Sequence, residues 1–182
     1  DAQAQHLSES LIEDATQLNA KELSDAYRVL AGQLIRREVY GQDGTPLAGH
    51  PYAVQEANYR VRVVQREHRT HRAAFLLVPR EQLSYQYERQ SDDPRVTHSL
   101  TLAVDERGNV TRSCQIAYPR RLLPDRQPEQ NTIKALVEIA RFAAPITEAN
   151  TYRHSLPTEQ QSLELFHLPL QDRLFTVEAL AT

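Results

Sequence analysis

The chain has 182 residues, a formal net charge of −3 and 40% hydrophobic residues, which is the composition of a folded globular protein. Its 21 basic and 24 acidic residues nearly balance, so there is no electrostatic basis for binding nucleic acid or an anionic membrane. The single cysteine excludes an internal disulfide, and no apolar stretch reaches the ~18 residues that a membrane-spanning helix needs.

Residues 1–32 form the first of three predicted regions, a helical N-terminal segment. Asn19 and Glu22 have the spacing of a capping box, in which each side chain accepts a hydrogen bond from the other residue's backbone N–H. Apolar residues then recur at helical spacing before Gly32, a residue suited to a helix C-terminus: Leu23, Tyr27 and Leu30. Similar spacing over residues 7–18 favours an earlier helix there.

In the second region, residues 33–121, the hydrophobic period changes to two, which predicts β-strands joined into hairpins. We expect strands over 34–40, 52–54, 59–63, 73–78, 83–87, 100–104 and 110–118. The last two strands form the cleanest hairpin, with a turn over residues 105–109 in which Gly108 takes a positive φ. The predicted fold class is mainly β, with antiparallel strands behind a short helical N-terminal segment.

The third region, residues 122–182, contains a Pro-rich connection followed by further strands. We place the weakest internal boundary in the connection, residues 122–131. Residues 132–141 are ambiguous, because their apolar residues fit both a strand and a helix. Residues 163–168 read as another short strand that ends before Pro169.

Few residues qualify as candidates for chemistry. His68 and His71 lie three apart, but a zinc site needs three or four ligands and no further spacing completes one, so we interpret them as a solvated turn. Asp92 and Asp93 fit an Asp-Pro turn better than a catalytic carboxylate pair. Cys114 lies among apolar strand residues, which favours a buried hydrophobic side chain over a nucleophile.

Several arginines follow tyrosines or prolines, in the stretches YRVR (59–62), YER (87–89), DPR (93–95) and PRR (119–121). An anion site is one interpretation, but strand-surface arginines that stack on tyrosine or pair with carboxylates are the favoured one. Nucleophile-elbow, phosphate-loop and zinc-protease motifs are all missing from the sequence. We therefore predict no catalytic, cofactor-binding or metal-binding residues and no cofactor.

Three stretches in order carry a resemblance to a known family: LIRREVYGQDGTPLAGHPYAVQEANYRVRVVQ, LSYQYERQSDDPRVTHSLTLAVDERGNVTRSCQIAYPRR and TYRHSLPTEQQSLEL. Together they resemble the middle-to-C-terminal region of the B component (TcdB/TcaC-like) of bacterial insecticidal toxin complexes. This group is related to SpvB-type proteins, and the stretch VDERGNV is similar to the core of Rhs/YD repeats. The likeness covers roughly residues 27–168, and the absence of methionine agrees with a fragment of a larger chain.

The resemblance implies a structural function. In that family the B component, with its C partner, forms a hollow β-strand shell around the toxic C-terminal part of the C partner. We therefore expect a non-enzymatic, secreted shell segment whose partners are the remainder of the B chain, the C component and, indirectly, the A component. It implies neither nucleic-acid binding nor direct membrane contact.

Two alternatives come from other classes. A stand-alone β-sandwich adhesion or binding module would have the same strand content and would behave as a monomer. An ADP-ribosylating toxin of the SpvB type is disfavoured, because the S-T-S and E-x-E patterns of such transferases are missing from this sequence.

Overall fold

The computed structural model describes residues 4–121, 128–166, 168–169 and 173–180. The expected mainly β class is confirmed, and helices are few. The strands are β1 Leu11–Ile12, β2 Arg36–Tyr40, β3 Pro51–Gln65, β4 Ala74–Gln86, β5 Arg95–Val104, β6 Val110–Ala117, β7 Lys134–Phe142, β8 Ile146–Glu148, β9 Thr151–Arg153 and β10 Pro157–Leu165. The helices are α1 Ala20–Val29 and α2 Val177–Leu180, with short 3-10 turns at Ala15–Gln17 and Pro128–Asn131.

Eight of these strands form one sheet in the order β1-β3-β4-β5-β6-β7-β10, with β2 also paired to β3. Every pairing in the sheet is antiparallel except that of β1 with β3. Strands β8 and β9, which lie between β7 and β10 in the chain, form a separate two-stranded ladder. Strands from all three predicted regions therefore share one sheet.

The predicted hairpin is confirmed as β5 and β6. Leu100 pairs with Cys114 and Val104 with Val110, so the turn covers the expected residues. Gly108 has a φ of +89°, and the Asp105 carboxylate accepts hydrogen bonds from the backbone N–H of Arg107 and of Asn109, both at 2.9 Å. The turn is thus fixed by one left-handed glycine and one carboxylate.

Strands β3 and β4 are longer than predicted. The expected strands 52–54 and 59–63 are parts of β3, which has 15 residues, and 73–78 and 83–87 are parts of β4, which has 13. Polar residues at Glu56 and Asn58 interrupt the apolar pattern, yet both are buried within the strand. The ambiguous residues 132–141 fall mainly in β7, because β6 and β10 supply hydrogen-bonding partners on both its sides.

At the N-terminus the predicted capping box is confirmed: Asn19 caps the N–H of Glu22, whose carboxylate accepts from the Asn19 N–H at 3.0 Å. Gly32 has a φ of +81°. The expected helix over residues 7–18 is wrong, since this stretch contains β1 and a 3-10 turn. Its apolar residues pack along the sheet instead, and Ile12 pairs with Val61.

Both faces of the sheet are partly covered. One face, called here the covered face, packs against residues 4–10 (the N-terminal strap) and residues 173–180 (the C-terminal segment). Alternation along β3 places Val61 on the opposite face, where it packs with Ala26 of α1 and with Ile12. No second large sheet lies over either face in the described part of the chain, so this part is not a β-sandwich.

Part of the predicted connection, residues 122–127, lies outside the described residues. The strand expected over 163–168 ends at Leu165 in β10, and residue 167 is likewise outside them.

Candidate functional site

A band of four polar residues crosses the covered face and is the most concentrated chemistry in the described chain. Its members come from three adjacent strands and are almost completely buried: Glu56, Asn58, Glu81 and His98. Burying carboxylates is costly unless hydrogen bonds or charges replace water, so the partners of each group decide what the band can do.

Glu81 lies at the centre of this polar band. Its Oε1 accepts from Asn58 Nδ2 at 3.2 Å, and its Oε2 lies 3.3 Å from His98 Nε2, although that approach falls short of hydrogen-bond geometry. Burial by itself would raise the pKa of Glu81, but His98, Asn58 and the Arg80 guanidinium together hold that pKa below its usual value. Glu81 is therefore a buried carboxylate in its charged form at neutral pH.

Glu56 ties the N-terminal strap to the sheet. Its carboxylate contacts His6 Nδ1 at 2.5 Å, accepts from the Leu7 N–H at 3.0 Å and pairs with Arg36 of β2. Asn58 also ties the strap to the sheet, because its Nδ2 donates to the Ser8 carbonyl at 3.0 Å. The polar band thus replaces a hydrophobic seam where the strap crosses β3.

Two tyrosines join the strap to the C-terminal segment. Tyr85 Oη accepts from the Gln5 N–H at 3.0 Å and donates to the Gln5 carbonyl at 2.9 Å. Gln5 Oε1 in turn accepts from the Leu174 N–H at 2.9 Å. Tyr118 Oη accepts from the Phe175 N–H at 3.0 Å, and burial raises the pKa of Tyr118 to about 12.

These contacts are structural in kind. Glu81 and His98 have the residue types of an acid–base pair, but their side chains are 7% and 0% exposed and face the strap and neighbouring strands. General acid–base catalysis requires such groups to reach a substrate. The arrangement fixes two chain segments on a sheet, and we assign it that role.

The predicted histidine pair lies elsewhere. His68 and His71 close the β3–β4 turn, exchange backbone hydrogen bonds of 3.0 and 3.2 Å and stack their exposed rings with centroids 5.3 Å apart. Within the described ranges no group of three His, Cys, Asp or Glu residues is placed to hold a metal. The interpretation as a solvated turn is confirmed, and the absence of a metal in solution stays a prediction.

Asp92 and Asp93 lie in the turn before Pro94, in different environments. Asp92 is exposed, whereas Asp93 is buried and accepts from Arg120 Nη2 at 2.8 Å and from the Arg121 N–H at 2.7 Å. Cys114 is fully buried beside the β5 strand, and burial raises the pKa of its thiol. Its interpretation as a hydrophobic core residue is confirmed.

The arginines pair with carboxylates and stack on tyrosine, as the favoured interpretation holds. Arg89 lies 4.9 Å from the centroid of the Tyr52 ring and donates to both Asp43 carboxylate oxygens at 2.7 and 3.0 Å. Arg62 donates to Glu13 at 3.2 Å, which anchors the segment after β1 to β3. Sequence reasoning missed the polar band, because its members lie on three strands and only Asn58 and Glu81 are direct cross-strand partners.

The face opposite the polar band has a shallow concavity of about 460 Å³ over strands β5, β6, β7 and β10. Its lining is mostly small or polar, and includes Thr97, Ser99, Gln115, Ala117, Lys134, Leu136 and Glu164. We assign no ligand to this concavity. No helix in the described ranges is long and apolar enough to cross a membrane.

Comparison with known proteins gives one family. The family model described as insecticide toxin TcdB middle/C-terminal region matches residues 25–167. These residues include every strand from β2 to β10 and thus nearly the whole sheet. No individual curated protein matches the sequence.

Solved structures of toxin complexes have the same fold. A crystal structure of TcdB2–TccC3 matches with a TM-score of 0.77 and 23% identity, over 91% of this chain and 9% of that chain. The TcdB2–TccC3–Cdc42 crystal structure matches with a TM-score of 0.67 and 25% identity, over 76% and 7%. A Photorhabdus luminescens Tc holotoxin pore matches with a TM-score of 0.70 and 25% identity, over 79% and 7%. The chain spans less than a tenth of these relatives' length.

Proposed function

Because the chain belongs to the family of the insecticide toxin TcdB middle/C-terminal region, we propose that it is a non-catalytic wall segment of a secreted bacterial toxin complex. The wall is the β-strand shell that encloses the toxic cargo of the C component. We retain the relationship to SpvB-type and Rhs/YD-repeat proteins as a prediction.

The single observation that supports this proposal most is the long continuous ladder inside the family match. Strands β3 and β4 pair from Ala53–Gln86 to Gln65–Ala74, and the ladder continues through β5, β6 and β7 to β10. Paired strands satisfy backbone polar groups along their whole length and leave no gap for a polypeptide to pass. Such a sheet is suited to separating a compartment from solvent.

The internal chemistry of the sheet agrees with a wall. Buried ionic groups tie segments of the chain together, as Glu56 ties the strap and Asp93 ties the segment after β6. Breaking such buried pairs is costly, so they fix one arrangement of the covering segments. In this proposal the partners are the remainder of the B chain, the C component and, indirectly, the A component.

The solved TcdB2–TccC3 complexes support the choice of the C component as a partner, since their chains of this fold were crystallised with TccC3. In this proposal the segment contacts neither membrane nor nucleic acid directly, and it has no catalytic role.

Protection of the cargo tests the proposal. The full B component is prepared with its C component, carrying either Ile116→Asp or the matched control Gln115→Asp. These neighbours lie on opposite faces of β6, with Ile116 1% exposed and Gln115 exposed. A buried unpaired carboxylate disrupts the sheet, whereas an exposed one does not. We expect protease to digest the enclosed toxin only in the Ile116→Asp complex.

Three further measurements complete this test. Gel filtration confirms that both complexes retain their full size, so that loss of assembly is separated from loss of the wall. If the Ile116→Asp complex assembles and still protects its cargo, this segment is not part of the enclosing wall. Steady NAD consumption by the isolated chain would contradict the non-catalytic assignment, and stoichiometric zinc after native purification would contradict the prediction that the chain binds no metal.

A further inference from the structure

Strand β2 is an open edge of the sheet. Arg37 pairs with Gln55 and Val39 with Ala53 on one side, and no described strand pairs with the other side. The Ile35 carbonyl accepts from the Ala57 N–H at 2.9 Å, so the backbone groups of residues 35, 37 and 39 turn toward β3. By antiparallel alternation the N–H and C=O groups of Arg36 and Glu38 point away from the sheet.

On one face of β2 the polar side chains already have hydrogen-bond or ion-pair partners. Arg36 Nε donates to Glu38 at 2.6 Å, and Tyr40 Oη donates to the same carboxylate at 2.6 Å. Arg36 also pairs with the buried Glu56. A strand that is added to this edge gains little from these groups, because their charges and donors are already used.

The other face of β2 exposes two aliphatic side chains and an arginine. Ile35 is 62% exposed and Val39 is 36% exposed, and Arg37 lies between them on the same face. The Arg37 side chain is exposed, and within the described ranges it has no ion pair or side-chain hydrogen bond. An unpaired cation between two exposed aliphatic side chains, on an unpaired backbone edge, defines a complementary strand.

We infer that the β2 edge binds an extended strand of the surrounding toxin-complex wall that carries an acidic residue between two aliphatic residues at alternate positions. The inference rests on the proposed function for the source of that strand. The added strand hydrogen-bonds the outward groups of Arg36 and Glu38. In an antiparallel pairing Arg37 then occupies a non-hydrogen-bonded position, where facing side chains approach most closely, so the acidic residue lies opposite its guanidinium.

The charge selectivity is tested by NMR titration of the intact chain with the peptides TVTETVT and TVTKTVT. Opposite charges across a strand pair stabilise it and like charges destabilise it, so the Glu peptide should bind about fivefold more tightly than the Lys peptide. In the Arg37→Glu variant this preference should reverse. The inference is overturned if the unsubstituted chain and the Arg37→Glu variant prefer the same peptide to the same degree. It is also overturned if neither peptide binds.

The backbone contact is tested by a matched pair of variants. Glu38→Pro removes the outward N–H, whereas Glu38→Ala removes the same carboxylate and keeps the donor. We expect the Glu peptide to bind the Ala variant and to lose binding to the Pro variant, with shifted resonances confined to β2 and β3. Retained binding to a folded Glu38→Pro variant overturns the inference, and if that variant does not fold, the charge reversal decides. Failure here leaves cargo protection unaffected, so it is distinguishable from failure of the proposed function.

Discussion

Replacing Gly108 with Ala tests the turn that closes the β5–β6 hairpin. Gly108 has a φ of +89°, and a Cβ built there would lie 2.8 Å from Leu76 Cδ2 and 3.0 Å from Leu76 Cδ1. Gly44 is a matched control, since its φ is +72° but no atom lies within 4 Å of a Cβ built there. The two substitutions therefore share the backbone strain and differ in the contact with Leu76.

The expected losses follow from these two causes. A left-handed conformation costs an alanine about 1 kcal/mol. Turning the Leu76 side chain away from its preferred rotamer costs about 1 kcal/mol more. Gly108→Ala should then lower the free energy of unfolding by about 2 kcal/mol and Gly44→Ala by about 1 kcal/mol. For a chain of this size the corresponding falls in Tm are about 4–8 °C and 2–4 °C.

Thermal and urea unfolding of the two variants measure this difference, and a Leu76→Ala background identifies its source. In that background the contact is absent, so the two glycine substitutions should cost the same. Equal losses in the original background would show that Leu76 yields without cost. A neutral Gly108→Ala would show that residue 108 does not need positive φ and that the turn differs from the one described.

The remaining predictions concern titratable groups. The pKa of Glu81 is lowered in the fold, so its charge contributes stability that is present above pH 4.5, the ordinary pKa, and is lost as the pH falls through the folded-state pKa. In a plot of urea unfolding midpoints against pH, the Glu81→Gln variant should therefore show a flatter decline on the acid side. An acid limb that is unchanged in this variant would argue against a charged Glu81. The pKa of Tyr118, raised from 10.0 to about 12, contributes stability that is present below pH 10.0 and is lost between there and about 12. Tyr118→Phe should remove that part of the alkaline limb, and an identical limb would contradict the assignment. Cys114 should react with a thiol reagent only after unfolding, because it is buried and its pKa is raised, so rapid labelling of the native chain would contradict its place in the core.

Local sequence patterns were sufficient where a short stretch carries its own partners. The capping box joins Asn19 to Glu22 across three residues, and the helix starts where that spacing predicts. The β5–β6 hairpin is similar, because its alternating residues flank a turn that needs only Gly108 and Asp105. In these cases the groups that satisfy the backbone are neighbours in the chain, so the sequence determines the structure directly.

Other features depended on partners far away in the chain. Residues 7–18 have helical spacing, but the strap and β1 lie on the sheet because Glu56 binds the Leu7 N–H and Val61 pairs with Ile12. Residues 132–141 fit a helix or a strand, and pairing of Lys134–Phe142 with both β6 and β10 decided in favour of the strand. Pairing of this kind supplies backbone hydrogen-bond partners on both sides of the segment, which outweighs its intrinsic preference.

The polar band shows most clearly what tertiary structure alone decided. In the sequence Glu56 and Asn58 interrupt the hydrophobic alternation of β3, and Glu81 interrupts that of β4, so the pattern predicts two shorter strands in place of each. In the fold Asn58 lies against Glu81, and His98 and Ser8 complete the set of contacts. A buried carboxylate is stable only when such partners surround it, and residues from separate strands and from the strap meet only after the sheet has formed.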